Sequence, residues 1–303
     1  MTPSSVHRRR RLTALGVVVL LAALVVAVVL ARAGGRASPA VPAEAAAARP
    51  AEPSSRTALE RPPAAPAAAR GSYRGRVPIL MYHVITAPPP GTAYPELWTS
   101  KERFAATMRL LAKAGYRGVT LAQVRAAWTG GPGLPAKPVV VSFDDGYLSQ
   151  YTHAKPVLRR LGWPGVLYLE GKNLGTGGLT VRQVRGMIDA GWELGAHSLT
   201  HPDLTTLDTA GLRREVAGSR ALLRRRFGVP VESFCYPAGR NDATVRAAVR
   251  DAGYDDATTV EPGIAGPTDD RLSLPRIRVD AATTPGTVLR MVRDGSGPSG
   301  GYG

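Results

Sequence analysis

The pattern of apolar and polar positions divides the chain into unequal stretches. Residues 12–31 run for twenty positions without a charge, long enough to cross a bilayer as one helix. Residues 32–75 are dominated by Ala, Pro and Arg, keep no apolar period, and are expected to form a disordered linker. From residue 76 to about 295 the pattern changes to short β-branched runs separated by stretches with a 3.6-residue period. Strands are predicted at 77–83, 139–143, 166–169, 193–197, 233–236, 257–260 and 274–279. Helices are predicted at 100–114, where Ser100 caps and Phe104, Met108 and Leu111 share a face, and at 154–161, 181–190, 210–227 and 242–252. Thr120 with Gln123 makes a capping box for one more. Strands alternating with helices imply an α/β fold with a parallel sheet of about seven strands, either open or closed into a barrel. In both forms ligands gather at the C-terminal ends of the strands. Residues 296–303 are expected to be a flexible end.

Charge and cysteine content place this body in a compartment. The chain of 303 residues is 44% hydrophobic, enough for one sizeable core, and carries a net charge of +16. Ten Arg and three Glu lie in residues 1–72, which leaves +9 of that charge on residues 73–303. The basic residues are scattered, with no interleaved aromatic motif, so no nucleic-acid partner is expected and an anionic envelope suits the charge equally. Arg8, Arg9, Arg10 and Arg11 precede the apolar run; residues 1–11 should stay cytoplasmic and everything beyond residue 31 should lie outside. The expectation is a single-pass protein of the cell membrane with an extracellular domain. The alternative is secretion after cleavage near Gly34, because Ala31-Arg32-Ala33 is a passable cleavage site. Cys235 is the sole cysteine, which excludes an intrachain disulfide.

The candidate chemistry sits at strand ends. The run 139–143 stops at Asp144-Asp145-Gly146, which on its own reads equally as a turn. His197 and His201, just beyond another predicted strand, change that reading: an i, i+4 spacing puts two imidazoles on one side of a helical turn. Two His and one Asp leave a fourth position open, the arrangement of a catalytic zinc site, and a second carboxylate is then available as a base.

Ser142-Phe143-Asp144-Asp145-Gly146 together with His197-Ser198-Leu199-Thr200-His201 resembles the first two motifs of the carbohydrate esterase family 4 polysaccharide deacetylases, the NodB-homology domain, over about residues 76–292. The resemblance implies a distorted (β/α) barrel and a hydrolase that removes N-acetyl groups from an amino-sugar polymer such as peptidoglycan or poly-N-acetylglucosamine. Acetylxylan-type O-deacetylation, hydrolysis of small amides or esters, and binding without catalysis are the alternatives. It further implies one divalent metal ion, Zn2+ foremost, with Asp145, His197 and His201 as ligands, Asp144 as general base, and the backbone N–H of Ala238 facing the oxyanion.

Two departures from the family pattern shape the remaining expectations. The third motif is usually Arg-Pro-Pro-Tyr-Gly, but here the matching run is Cys235-Tyr236-Pro237-Ala238-Gly239, without the arginine that orients the base. The chain instead resembles the branch with an early Met81-Tyr82-His83, and its C-terminal segment 272–279 contains no histidine. His83 is therefore the candidate general acid, with a buried, backbone-satisfied histidine as the alternative. Asp255 or Asp256 is the candidate to raise its pKa. Arg276 is the candidate to supply the guanidinium that Cys235 cannot. His153 is expected to face solvent, and Tyr82, Tyr147, Trp192 and Tyr236 read as core more readily than as sugar platforms.

Overall fold

A computed structural model describes residues 73–175 and 177–295. The basic tail, the apolar run 12–31, nearly all of the linker and the C-terminal end 296–303 lie outside the described residues. Among the described residues no helix is long and apolar enough to cross a membrane.

The described residues hold eight strands: β1 (Ile79–Tyr82), β2 (Arg117–Val119), β3 (Pro138–Asp145), β4 (Val166–Leu169), β5 (Glu193–Ala196), β6 (Ser233–Cys235), β7 (Asp256–Pro262) and β8 (Leu274–Arg278). Seven α-helices accompany them among the described residues: α1 (Lys101–Lys113), α2 (Leu121–Trp128), α3 (Lys155–Arg160), α4 (Val181–Ile188), α5 (Thr209–Phe227), α6 (Ala243–Asp251) and α7 (Pro285–Asp294). Every strand pairing is parallel. The order β1-β8-β7-β6-β5-β4-β3 closes on itself where Leu80 of β1 pairs with Val141 of β3, giving a seven-stranded barrel with β2 attached to β3 outside the ring. Closure removes the exposed edges that an open sheet would carry. The barrel is irregular: β5 and β6 share the single pair Ala196 with Phe234, and the register slips between β7 and β8.

Strand alternation sorts the side chains into two environments. Along β3, Val139, Val141 and Phe143 join the large core between barrel and helices, whereas Val140 packs with Ile79, Val166, Tyr168 and Leu274 in a second, smaller core. Ser142 and Asp144 follow Val140 by the same alternation, which is how a fully buried strand delivers a carboxylate to the barrel's upper end. The Tyr168 ring occupies the interior over β5; a Cβ at Gly195 would stand 2.6 Å from Tyr168 Cδ1, so that position requires glycine. The expected caps are in place at Ser100 and at the Thr120–Gln123 box. The three-residue β2 and helix α7 had no counterpart in the sequence pattern.

The opposite, N-terminal end of the barrel holds its own charge cluster. Arg125 of α2 bonds Asp256 at the start of β7 and Glu232, 2.6 Å away, while Glu193 at the start of β5 accepts from Ala122 N–H and the Ser233 hydroxyl. Asp256 Oδ1 is buried without a hydrogen-bond partner. Burial, reinforced by the adjacent Glu193 carboxylate and opposed by Arg125, pushes the Asp256 carboxyl up to about 7. A carboxyl raised in the folded state stabilises while protonated, so this contribution is complete below the ordinary carboxyl pKa of about 4 and is lost as pH rises through about 7. Urea unfolding of the wild type should therefore show stability falling across that window. Asp256→Asn should flatten the slope; an unchanged slope would refute this placement of the proton.

Candidate active site

The sequence-predicted residues converge at the C-terminal end of the barrel. Asp144 and Asp145 are the last two residues of β3, His83 directly follows β1, His197 follows β5, Cys235 ends β6 and Arg276 comes from β8. Strict alternation would turn Asp145 away from Asp144. The backbone at Asp145 is left-handed instead (φ 74°), and its Oδ1 lies 3.4 Å from His197 Nε2 and 3.8 Å from His201 Nε2. Gly146 completes this turn at φ 93°, where a Cβ would come within 2.3 Å of Leu169 Cδ1.

His197 and His201 do not share a helical turn. They lie in a loop in which Ser198 (φ 62°) and His201 (φ 58°) are left-handed, and His201 N–H donates to Ser198 Oγ at 2.9 Å. The i, i+4 spacing converges two imidazoles here through loop geometry, a correction to the helical expectation. Among the described residues the only non-glycine positions with positive φ are Asp145, Ser198, His201 and Ala238, all at this end of the barrel. Strained backbone concentrated in one place marks a site whose geometry the surrounding fold enforces.

Donor atoms of Asp145, His197 and His201 all lie within 4.8 Å of one another. His197 Nδ1 sits 2.7 Å from the Cys235 carbonyl, which can only accept; this fixes Nδ1 as the donor and leaves Nε2 as a lone-pair donor facing Asp145. The His201 side chain is 36% exposed, which keeps the cluster open to solvent. These are the features a three-ligand metal centre needs. A second group, Asp144, His197 and Cys235, has comparable spacing, but the Arg276 guanidinium already occupies it. A cation beside that guanidinium would be repelled.

Arg276, 1% exposed, bonds both Asp144 oxygens at 2.8 Å in a two-pronged pair. Its Nε donates to Thr259 O at 2.8 Å and its remaining donors reach Ser142 Oγ and Cys235 Sγ, each at 3.2 Å. The small Cys235 side chain leaves room for an arginine from β8 to cross to β3. Burial alone would raise the Asp144 carboxyl; the charge and hydrogen bonds of Arg276 more than reverse that and hold it well below the usual carboxylate range. Asp144 stays ionised; its Oδ2 also accepts from the Cys235 thiol at 3.6 Å, while Oδ1 keeps a lone pair free.

His83 is buried, with Nε2 3.7 Å from Asp144 Oδ2. It stands beside Asp144. Gln150 ties the two strand ends together, donating to the carbonyls of His83 (3.0 Å) and Asp144 (2.6 Å). Burial lowers the His83 pKa, and Asp144 is the main carboxylate opposing that shift. Asp255 and Asp256 play no part, because both sit at the N-terminal start of β7. His153 is not a free surface residue: its Nδ1 lies 2.6 Å from Ile85 O. Tyr82, Trp192 and Tyr236 are core. Ala238, at φ 51°, lies in the turn Pro237–Gly239 after β6.

Besides Gln150, two further supporting residues escaped sequence reasoning. Asn173 donates to the carbonyl of Asp145 at 3.1 Å and to Glu170 at 2.8 Å. Glu215 accepts from the loop that carries His197 and His201. Glu215 left a trace: it falls between Leu212 and Val216 on the buried face of α5, a charge on an apolar stripe.

Comparison with known proteins decides the family. The Polysaccharide deacetylase family profile matches residues 132–257, a span that includes Asp144, Asp145, His197, His201 and Cys235 but not His83 or Arg276. The YxkH protein of Bacillus subtilis (strain 168) is 32% identical over 206 residues, covering 67% of this chain and 71% of that protein. The chain belongs to the polysaccharide deacetylase family. It is thus an enzyme that hydrolyses carbon–nitrogen amide bonds, in a family that depends on metal. The fold of this deacetylase is similar to that of PplD, a Streptococcus pyogenes deacetylase solved with acetate, at a TM-score of 0.68 and 25% identity, covering 73% of this chain and 99% of that one. A 66-residue segment of the deacetylase is 47% identical to the poly-beta-1,6-N-acetyl-D-glucosamine N-deacetylase of Escherichia coli (strain K12), covering 22% of this chain and 9% of that protein.

Proposed function

We propose that the deacetylase removes N-acetyl groups from an amino-sugar polymer of the cell envelope, of the poly-N-acetylglucosamine or peptidoglycan type, with one Zn2+ held by Asp145, His197 and His201. The observation that carries this reading is the converging Asp-His-His donor set beside an ionised, arginine-held Asp144. The similarity to the Escherichia coli N-deacetylase supports an N-acetylated polymer. A divalent cation held by Asp145, His197 and His201 would supply Lewis acidity toward the acetyl oxygen and water.

The chain's own residues account for the proton movements. Asp144 takes a proton from the attacking water as its oxygen bonds to the acetyl carbon. The Ala238 N–H, in a left-handed turn after β6, is the proposed contact for the oxyanion that develops. His83 gives a proton to the sugar nitrogen as the carbon–nitrogen bond breaks, leaving acetate and a free amine. With His83 Nε2 3.7 Å from Asp144 Oδ2, the proton taken from water and the proton given to the amine pass through neighbouring groups.

Acetate release tests the reading. After chelation and Zn2+ add-back, acetate and new amines should appear from poly-N-acetylglucosamine or peptidoglycan. Release from acetylxylan alone would overturn the N-acetyl assignment, and activity that survives exhaustive chelation would overturn the metal. The domain is further proposed to be held outside the cell by residues 12–31. Full-length protein should then fractionate with membranes and resist salt washing; recovery only as a soluble form starting near Gly34 would show cleavage.

A further inference from the structure

We propose that Glu215 is the positioning residue of the metal-ligating loop, its carboxylate holding residues 197–201 in the one shape that lets both imidazoles reach a single cation. The inference rests on the metal reading above. Only three residues separate the two histidines, and two residues of the loop, Ser198 and His201, are left-handed. A loop of this form lacks the repeating bonds of a helix, so its N–H groups need other acceptors. Glu215 supplies them. Its Oε2 accepts from Leu199 N–H and Thr200 N–H, both at 2.9 Å, and its Oε1 accepts from the Thr200 hydroxyl at 2.9 Å.

Three more polar groups of the loop are fixed as well. Gly171 N–H donates to Ser198 O at 3.1 Å, Lys172 N–H donates to Leu199 O at 2.8 Å, and Ser198 Oγ takes the His201 N–H. The loop is thereby held from more than one side, and among the described residues Glu215 is the only side chain from outside the loop that makes three of those bonds. Glu215 is 6% exposed and rides on the nineteen-residue α5, so it is a rigid mount. Charged acceptors make stronger bonds than neutral ones, which suits holding a strained loop.

The prediction concerns metal affinity and not only activity. In the purified full chain, stripped of metal and titrated with Zn2+ against a competing chelator, Glu215→Ala should bind about 10–100-fold more weakly, the usual effect of losing a residue that orients a ligand. Excess Zn2+ should restore much of its turnover. Glu215→Gln can accept both N–H groups and turn its amide to the Thr200 hydroxyl, so it should stay near wild type. Thr200→Val, at an exposed position, removes one bond and should weaken binding ~3–10-fold. His201→Ala marks the affinity of a broken site. A folded Glu215→Ala with wild-type affinity overturns the inference while leaving the metal reading intact. If Glu215→Ala does not fold, wild-type affinity in Thr200→Val overturns it instead. A Glu215→Gln as weak as Glu215→Ala overturns the hydrogen-bond account. Wild-type protein that binds no Zn2+ overturns the metal reading and this inference together.

Discussion

Replacing Arg276 with Met should destabilise the domain by about 3–5 kcal/mol, because it strips the partner from a carboxylate that cannot reach water. Asp144 is 2% exposed, and its two oxygens are both held by the Arg276 fork. Methionine roughly fills the volume, so the loss would report the missing charge and hydrogen bonds more than a cavity. Burial would then be opposed only by the smaller effects of His83 and His197, and would push the Asp144 carboxyl up, weakening the base as well as stability. Turnover should fall along with stability. Arg276→Lys separates the contributions: it keeps the charge, loses the planar fork, and should fall between wild type and Met on both measures. Chemical denaturation with parallel turnover measurements is sufficient. A Met variant within about 1 kcal/mol of wild type and with normal turnover would show that the pair is ornamental.

His83→Ala should keep its metal and lose roughly two to four orders of magnitude in kcat, the usual contribution of a positioned acid. An amine leaves poorly until protonated, and the chain has few donors to offer. Of its five histidines, His197 and His201 belong to the donor set, His153 is bonded to Ile85, and His7 lies in the tail. His83 alone remains beside the base, with its strand end anchored by Gln150. Metal content and turnover must be read on the same preparation, since a lost metal would mimic a lost acid. Near-normal turnover in metal-replete His83→Ala would remove this residue from the mechanism.

Much of this arrangement could be read from residue types because the barrel converts sequence position into location. A residue at or just past the end of a strand reaches the same end of the molecule, so Asp144, Asp145, His83 and His197 could be gathered without knowing a single distance. The pairing of Arg276 with Asp144 followed from chemistry: a missing arginine at Cys235 leaves a carboxylate in want of a partner, and the inward side of β8 offers one. The details that stayed hidden depend on backbone shape or on contacts between distant segments. Nothing in His-Ser-Leu-Thr-His distinguishes a helical turn from a loop with two left-handed residues. Gln150 and Glu215 act through partners far along the chain, which a linear pattern does not display. β2 is too short, at three residues, for alternation to register. The pairing of His83 with a carboxylate was foreseen but aimed at Asp255 or Asp256; a strand's beginning and its end look alike until the register is known.

The four left-handed residues at the catalytic end set evolution and engineering against each other. Each non-glycine residue in that conformation costs of order 1 kcal/mol, a cost that glycine avoids. A screen for heat resistance alone would therefore favour glycine at positions such as Ala238, whose side chain has no assigned task. The winners would melt later yet, on the proposed mechanism, hold the oxyanion contact less firmly, trading aim for endurance. Thermostable variants of this enzyme are better sought at the opposite end of the barrel, where the Asp256 cluster offers stability that catalysis does not use.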